Sequence, residues 1–180
     1  MEKKFELTDN FIINAFGVKL FQIKCTKSFK YAKEGDLGGY VEKDENLDQE
    51  SDAWVAGNAR VYGDARVYGD ARVYGDARVY GDAWVSGNAR VYGDARVYGN
   101  ADIENDNNHC GFDCFGSCNR HTHAYLTKDN KVEITCGCFR GSIEEFEKEV
   151  EKTHSGKIYE KQYKAIINVI KIKFGLTDLI

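Results

Sequence analysis

The side chains best suited to site chemistry are cysteines and histidines that cluster between residues 110 and 123. Thiolate and imidazole are groups that bind Zn²⁺ in proteins. The spacings Cys-x3-Cys-x3-Cys and His-x-His, however, match no common zinc-binding frame. We therefore expect packed or exposed thiols and no cofactor here, with a structural zinc ion as the alternative. The residues that would hold such an ion are Cys110, Cys114, Cys118, His121 and His123.

The element that would position most other sites is a six-residue repeat, typified by Ala-Arg-Val-Tyr-Gly-Asp. In an extended segment, alternation directs Ala and Val to one face and Arg and Tyr to the other. Gly-Asp or Gly-Asn then fits a corner, where glycine tolerates positive φ. The aliphatic position recurs at Val55, Val61, Val67, Val73, Val79, Val85, Val91, Val97 and Ile103.

Antiparallel hairpins do not suit this repeat. They would pair Tyr with Ala and Val with Arg, so that no continuous apolar surface could form. A parallel coil avoids the problem, because three repeats make a triangular turn of 18 residues and each residue stacks on its equivalent one turn later. The sequence therefore predicts an all-β solenoid, a parallel β-helix of about three coils.

Stacking in steps of 18 residues defines three outer faces. The first face carries Trp54, Ala56, Arg72, Tyr74, Arg90 and Tyr92. The second face is an Arg/Tyr ladder of Arg60, Tyr62, Arg78, Tyr80, Arg96 and Tyr98. The third face breaks the pattern with Arg66, Tyr68, Trp84, Ser86, Asp102 and Glu104.

These ladders stabilise the coil, or they form a protein-binding surface, because Tyr, Trp and Arg are enriched at binding hot spots. Corner aspartates are expected to neutralise the arginines. For partner contacts we favour Arg66, Tyr68 and Trp84 on the third face, followed by the ladder of the second face.

Two other function classes have little support. Hexapeptide-repeat acyltransferases use a histidine base, but residues 51–108 contain no histidine, and no phosphate loop or nucleophile motif is present. Nucleic-acid binding is disfavoured because six arginines face seven aspartates over residues 51–103, which leaves no basic stripe. The sequence thus predicts a protein that is not an enzyme, with an acyl-CoA-dependent acyltransferase as the alternative.

The flanking segments predict two further parts around the coil at residues 51–108. Residues 1–50 form an N-terminal β cap, in which Leu20 and Ile23 are core and Val41 and Leu47 resemble an imperfect first pair of repeats. Residues 109–180 form an α+β domain. It contains a loop rich in Cys and His, a β-hairpin and two helices.

The two predicted helices have clear signals. The first begins with Ser142 and Glu145 as a capping box and ends at Gly156. The second has apolar residues at helical spacing up to Phe174. The tail "LTDLI" that follows is partly apolar and favours a contact in a homodimer.

Charge and hydropathy predict a cytoplasmic protein without membrane contact. The net charge is −4, and no apolar run is long enough to cross a bilayer. The start, "MEKKFELTDN", lacks the apolar stretch of a signal peptide.

Stretches along the whole chain resemble hexapeptide-repeat proteins of phages and prophages of Gram-positive bacteria. They include "GDLGGYVEKDENL", "DAWVAGNARVYGDARVYG" and "YLTKDNKVEITCGCFRGSIEEFEKEVEKTH". The resemblance implies a left-handed β-helix and a phage-borne accessory gene, and brings no catalytic residues. This chain departs from the group at Gly116–Arg120, where relatives have a short Gly-Ser-Arg segment.

Such accessory genes often act by blocking host machinery. The sequence and the resemblance together predict a non-catalytic binding protein that engages and inhibits a bacterial host protein complex. A defence nuclease such as a CRISPR effector is one such complex, which would make the chain anti-CRISPR-like.

Overall fold

The computed structural model describes residues 3–176, which divide into two compact units. The first unit ends at Asp106, and the second begins at Asn107. None of the helices within residues 3–176 is long and apolar enough to cross a bilayer. Most of the tail for which the sequence favours a dimer contact, residues 177–180, lies outside the described residues.

The first unit opens with three antiparallel strands that form one edge of a larger sheet. They span Phe5–Ile13 (β1), Lys19–Cys25 (β2) and Leu37–Val41 (β3), and a 3-10 helix follows at Asp44–Asn46 (η1). Leu20 and Ile23 are fully buried, as predicted.

The coil consists of two-residue strands, one for each six-residue repeat. Each strand pairs in parallel with a strand 18 residues away in the sequence, so that Val61, for example, lies beside Val79. The alanines and aliphatic residues of the repeats are at most 2% exposed. The predicted β-solenoid is therefore confirmed. Its strands are Trp54–Val55 (β4), Arg60–Val61 (β5), Arg66–Val67 (β6), Arg72–Val73 (β7), Arg78–Val79 (β8), Trp84–Val85 (β9), Arg90–Val91 (β10), Arg96–Val97 (β11) and Asp102–Ile103 (β12).

The solenoid has about four turns, whereas the repeat alone predicts about three. β3 pairs in parallel with β5 and extends the stack β3-β5-β8-β11. Leu47 forms a parallel bridge to Val67 above the stack β6-β9-β12. Gly39 allows this close approach, because a Cβ there would lie 2.6 Å from the Ala59 carbonyl oxygen. The imperfect pair Val41 and Leu47 thus belongs to an added turn.

The corner glycines provide a test of how tightly successive turns stack. Gly87 and Gly93 both have left-handed φ, +55° and +64°. A Cβ at Gly87 would lie 2.2 Å from the carbonyl oxygen of Glu104, whereas a Cβ at Gly93 would meet nothing within 4 Å.

We expect Gly87→Ala to lower the free energy of unfolding by about 2 kcal/mol more than Gly93→Ala. Both variants bear the cost of a left-handed alanine, so their difference measures the clash with the next turn. Urea titrations followed by circular dichroism give both values. Equal losses for the two variants would contradict the tight stacking.

Lys4 ties the N-terminal strand to the first corner of the coil. Its Nζ donates hydrogen bonds to the carbonyl oxygens of Asp48, Ser51 and Ala53 at 2.6, 2.7 and 2.8 Å. Burial lowers the pKa of Lys4 to about 8, although the carboxylates of Asp48 and Asp52 oppose that shift. The ammonium group therefore occupies a polar cage rather than solvent.

The second unit is an antiparallel sheet of four strands and two helices. The strands are His109–Phe115 (β13), Arg120–Leu126 (β14), Val132–Cys136 (β15) and Phe139–Gly141 (β16). The predicted hairpin is β14-β15, and it is confirmed. The prediction of a Cys/His-rich loop is wrong, because much of that segment pairs as the hairpin β13-β14. The glycine and asparagine residues of this segment obscure the alternation of side chains that is typical of a strand.

The helices cover one face of this sheet. They span Ile143–His154 (α1) and Ile158–Lys173 (α2), and the predicted capping box of Ser142 and Glu145 is present. The core between them is formed by Ala124, Ile134, Cys136, Ile143, Phe146, Val150, Tyr163, Ile166, Ile167 and Ile170. The two predicted helices are therefore confirmed.

Candidate interaction surface

The third face of the coil contains a groove of about 630 Å³. Its lining divides by chemistry into an apolar and aromatic set, here called the floor, and a polar set rich in carboxylates, here called the rim. The floor residues are Leu47, Val67, Tyr68 and Trp84. The rim residues are Asp44, Glu45, Asp48, Gln49, Glu50 and Arg66.

The solenoid register assembles the two sides of this groove. Trp84 stacks on Arg66 through the ladder β6-β9, and Asp102 follows in the next turn. On the other side, the bridge from Leu47 to Val67 sets Asp48 beside Tyr68. The irregular third face and the added turn therefore meet in one place.

Trp84 and Tyr68 form an aromatic pair in the groove. Their ring centroids lie 6.4 Å apart with an edge-to-face angle of 79°. Trp84 is 39% exposed, whereas Trp54, the other tryptophan of the coil, is 5% exposed and packs against Phe29. Exposed aromatic area of this kind is typical of binding surfaces.

The carboxylates of the rim differ in their surroundings. Asp44 accepts a hydrogen bond from Lys3 Nζ at 2.6 Å. Burial raises the pKa of Asp48, but hydrogen bonds from Ser51 and Glu50 outweigh burial and hold that pKa below its usual value. Glu45 and Glu50 are exposed. The rim is therefore negatively charged near neutral pH.

The second face is a continuous ring stack. The ring centroids of Tyr62 and Tyr80 lie 4.8 Å apart and those of Tyr80 and Tyr98 lie 4.7 Å apart, and the rings are nearly parallel in both pairs. Burial raises the pKa of Tyr62 to about 12, with a further contribution from Tyr80 and an opposing one from nearby arginines. Tyr62, the first tyrosine of this ladder, is therefore buried and stabilises the coil, so the ladder has a structural role besides any binding role.

Some corner carboxylates pair with the arginine ladders as expected, as Asp106 does with Arg90, but others pair with lysines. Asp64 pairs with Lys43 at 2.9 Å, and Asp70 pairs with Lys30 at 2.8 Å. Within residues 3–176, no carboxylate forms an ion pair with the arginines at positions 60, 66 and 78. The N-terminal lysines pair with these corner carboxylates, so Arg66 attracts Asp64 without forming a direct ion pair with it.

The first face is partly covered by the segment before β3. Besides the contact of Phe29 with Trp54, the guanidinium of Arg72 lies 4.9 Å from the centre of the Tyr31 ring. This cover reaches only the first part of the face, because Arg90 and Tyr92 remain exposed.

The structure does not bring the five candidate zinc ligands together. Cys110 packs against the helical core, and burial raises the pKa of its thiol to about 11. Its neighbour Gly111 pairs with His123, so His123 lies on the opposite face of the sheet. Cys114 and Cys118 are exposed near the turn between β13 and β14. Among residues 3–176, no three His, Cys, Asp or Glu side chains are placed to hold a metal ion.

Two histidine contacts on that opposite face were not foreseen from the sequence. His109 Nδ1 and His123 Nε2 lie 2.9 Å apart and are buried, and His121 Nδ1 contacts Asp113. One ring nitrogen of the His109–His123 pair must donate and the other accept, so at least one of the two is neutral.

Comparison with known protein families supports the solenoid fold of the coil. The family described as YdcK Beta solenoid repeat matches residues 55–69, 59–72, 71–87, 83–99 and 89–103. The chain is a repeat β-helix protein. Its matched residues lie within β4 to β12, so the similarity covers the solenoid and neither flank. A search of curated proteins finds no match.

Proposed function

We propose that this β-helix protein is a non-catalytic binding protein of phage type. It engages and inhibits a bacterial host protein complex in the cytoplasm, such as a defence nuclease. The phage origin and the class of target rest on the resemblance of the sequence. The binding role rests on the surface of the coil.

The groove on the third face is the observation that carries this proposal. It joins an exposed tryptophan to a charged rim at a place where the coil departs from its repeat. Its volume falls in the range of about 300–1,000 Å³ that is usual for sites that hold a ligand. Because stacked turns hold the floor residues in place, little ordering cost opposes association.

The acidic rim also favours a protein partner over acyl-CoA. Among the described residues 3–176, four carboxylates and one arginine, Arg66, line the groove. The phosphates of coenzyme A would be repelled by such a rim. A protein surface can supply complementary charge together with the apolar contact that Trp84 requires.

The proposal is tested by capture of partners with tagged protein from a bacterial host. We expect Trp84→Ala to lose the principal partner, since loss of an aromatic hot spot costs about 2 kcal/mol or more. Tyr92→Ala is the matched control, because Tyr92 is an exposed aromatic residue of the first face, 54% exposed. Recovery is measured by quantitative mass spectrometry.

Three outcomes would count against the proposal. An unchanged partner list with Trp84→Ala would exclude the groove. A micromolar calorimetric isotherm with acetyl-CoA would favour the acyltransferase class. Failure of the purified chain to inhibit the recovered complex would exclude an inhibitor.

A further inference from the structure

We infer that the groove on the third face accepts a lysine- or arginine-bearing segment of the partner protein. This inference rests on the proposed binding function and names the chemistry of the occupant. It draws on three separate features of the groove: its charge, its aromatic floor and its size.

The charge of the rim selects a cation. Asp44 is already paired with Lys3, and Asp48 accepts backbone hydrogen bonds from Glu50 and Ser51. Glu45 and Glu50 are exposed, and neither forms an ion pair within residues 3–176. Lys3 and Lys43 attract Glu45, but their ammonium groups pair with Asp44 and Asp64. A basic side chain in the groove would therefore find two carboxylates that have no competing ion pair.

The aromatic floor suits the same side chain. A cation over an indole ring is attracted by the ring quadrupole, and tryptophan is the strongest such partner among the aromatic residues. The apolar stem of lysine or arginine can lie along Trp84 and Tyr68 while its charged end reaches the rim. An acidic segment would gain neither contact.

The position of Arg66 determines in which direction the bound segment lies in the groove. Arg66 is exposed and, of the part of the chain that the structure describes, it is the only cation that lines the groove. Like charges repel, so the basic side chain lies toward the segment from Asp44 to Glu50, and Arg66 is left to meet an acidic or neutral group of the same partner. The groove is large enough for several residues of a peptide.

The test uses the full chain and two fluorescein-labelled peptides, Ac-GRLKRG-amide and Ac-GELEEG-amide, in fluorescence anisotropy titrations at low salt. We expect the basic peptide to bind at least tenfold more tightly than the acidic peptide. Glu45→Lys/Glu50→Lys should weaken the basic peptide at least tenfold. Glu6→Lys/Asp94→Lys, which makes the same change in net charge at exposed residues outside the groove, should leave binding within twofold.

Two results would overturn the inference. One is equal weakening by the two double variants, which would mean that net charge alone attracts the peptide. The other is no binding of the basic peptide up to 1 mM by folded wild-type protein. In either case, capture of a partner that depends on Trp84 would still support the proposed function, so the two failures are distinguishable.

Discussion

Replacement of Val79 by aspartate is expected to abolish folding of the coil. Val79 is fully buried and lies between Val61 and Val97 in the stack β5-β8-β11. A carboxyl group there has apolar neighbours in the turns on both sides. The expected loss is about 3–5 kcal/mol or more, which is comparable with the whole stability of a typical domain. Circular dichroism and resistance to protease measure the outcome.

Arg78→Asp is the matched control for this change. It introduces the same side chain one residue earlier, on the outer face of the same strand, where Arg60 and Arg96 are its neighbours. We expect a change within about 1 kcal/mol. If both variants unfolded to the same extent, the stacked valines would not be the main source of stability.

Lys4→Met should cause the second large loss of stability. Methionine fills a similar volume but leaves the carbonyl oxygens of Asp48, Ser51 and Ala53 without their donor. The expected decrease in the free energy of unfolding is about 2–4 kcal/mol, because buried acceptors without a partner are costly. Urea titration followed by circular dichroism measures it.

Lys3→Met separates this effect from the loss of a positive charge. The ion pair of Lys3 with Asp44 is exposed, with side chains 60% and 37% accessible. Exposed pairs contribute at most about 1 kcal/mol. A Lys4→Met variant as stable as Lys3→Met would show that the cage of carbonyl groups does not stabilise the first corner.

The coil could be predicted from the sequence because its signal is local and repeated. Each repeat supplies its own inward valine, its own small alanine and its own corner glycine, so the register follows from the period. The added turn was missed as a turn because only Val41 and Leu47 keep that spacing. Its remaining corners are formed by η1 and by the segment whose carbonyl groups bind Lys4. Neither segment resembles a repeat.

The aromatic side of the candidate groove was predicted from the sequence, and its acidic rim was not. Trp84 stood out because it interrupts the Arg/Tyr pattern of the third face. The acidic rim was missed because Glu45 and Glu50 lie in a segment that the repeat does not reach. The spacing of Leu47 and Val67, which is two residues longer than one turn, was the available signal.

The second unit shows where single-sequence reasoning fails. The helices were predicted because their caps and apolar spacing are local. The contact between His109 and His123 depends on the cross-strand pair Gly111–His123, which no local pattern specifies. Gly111 leaves room above the strand, since a Cβ there would lie 2.7 Å from the His121 ring.

The 18-residue turn constrains how the gene can change in length. Nearly identical repeats invite recombination that removes or adds one copy. Loss of six residues between Arg66 and Trp84 would set the indole above Arg60 and move it from the third face to the second. Only gains or losses of three copies leave every surface feature in its column, so the allele lengths that retain the groove should differ by multiples of 54 base pairs.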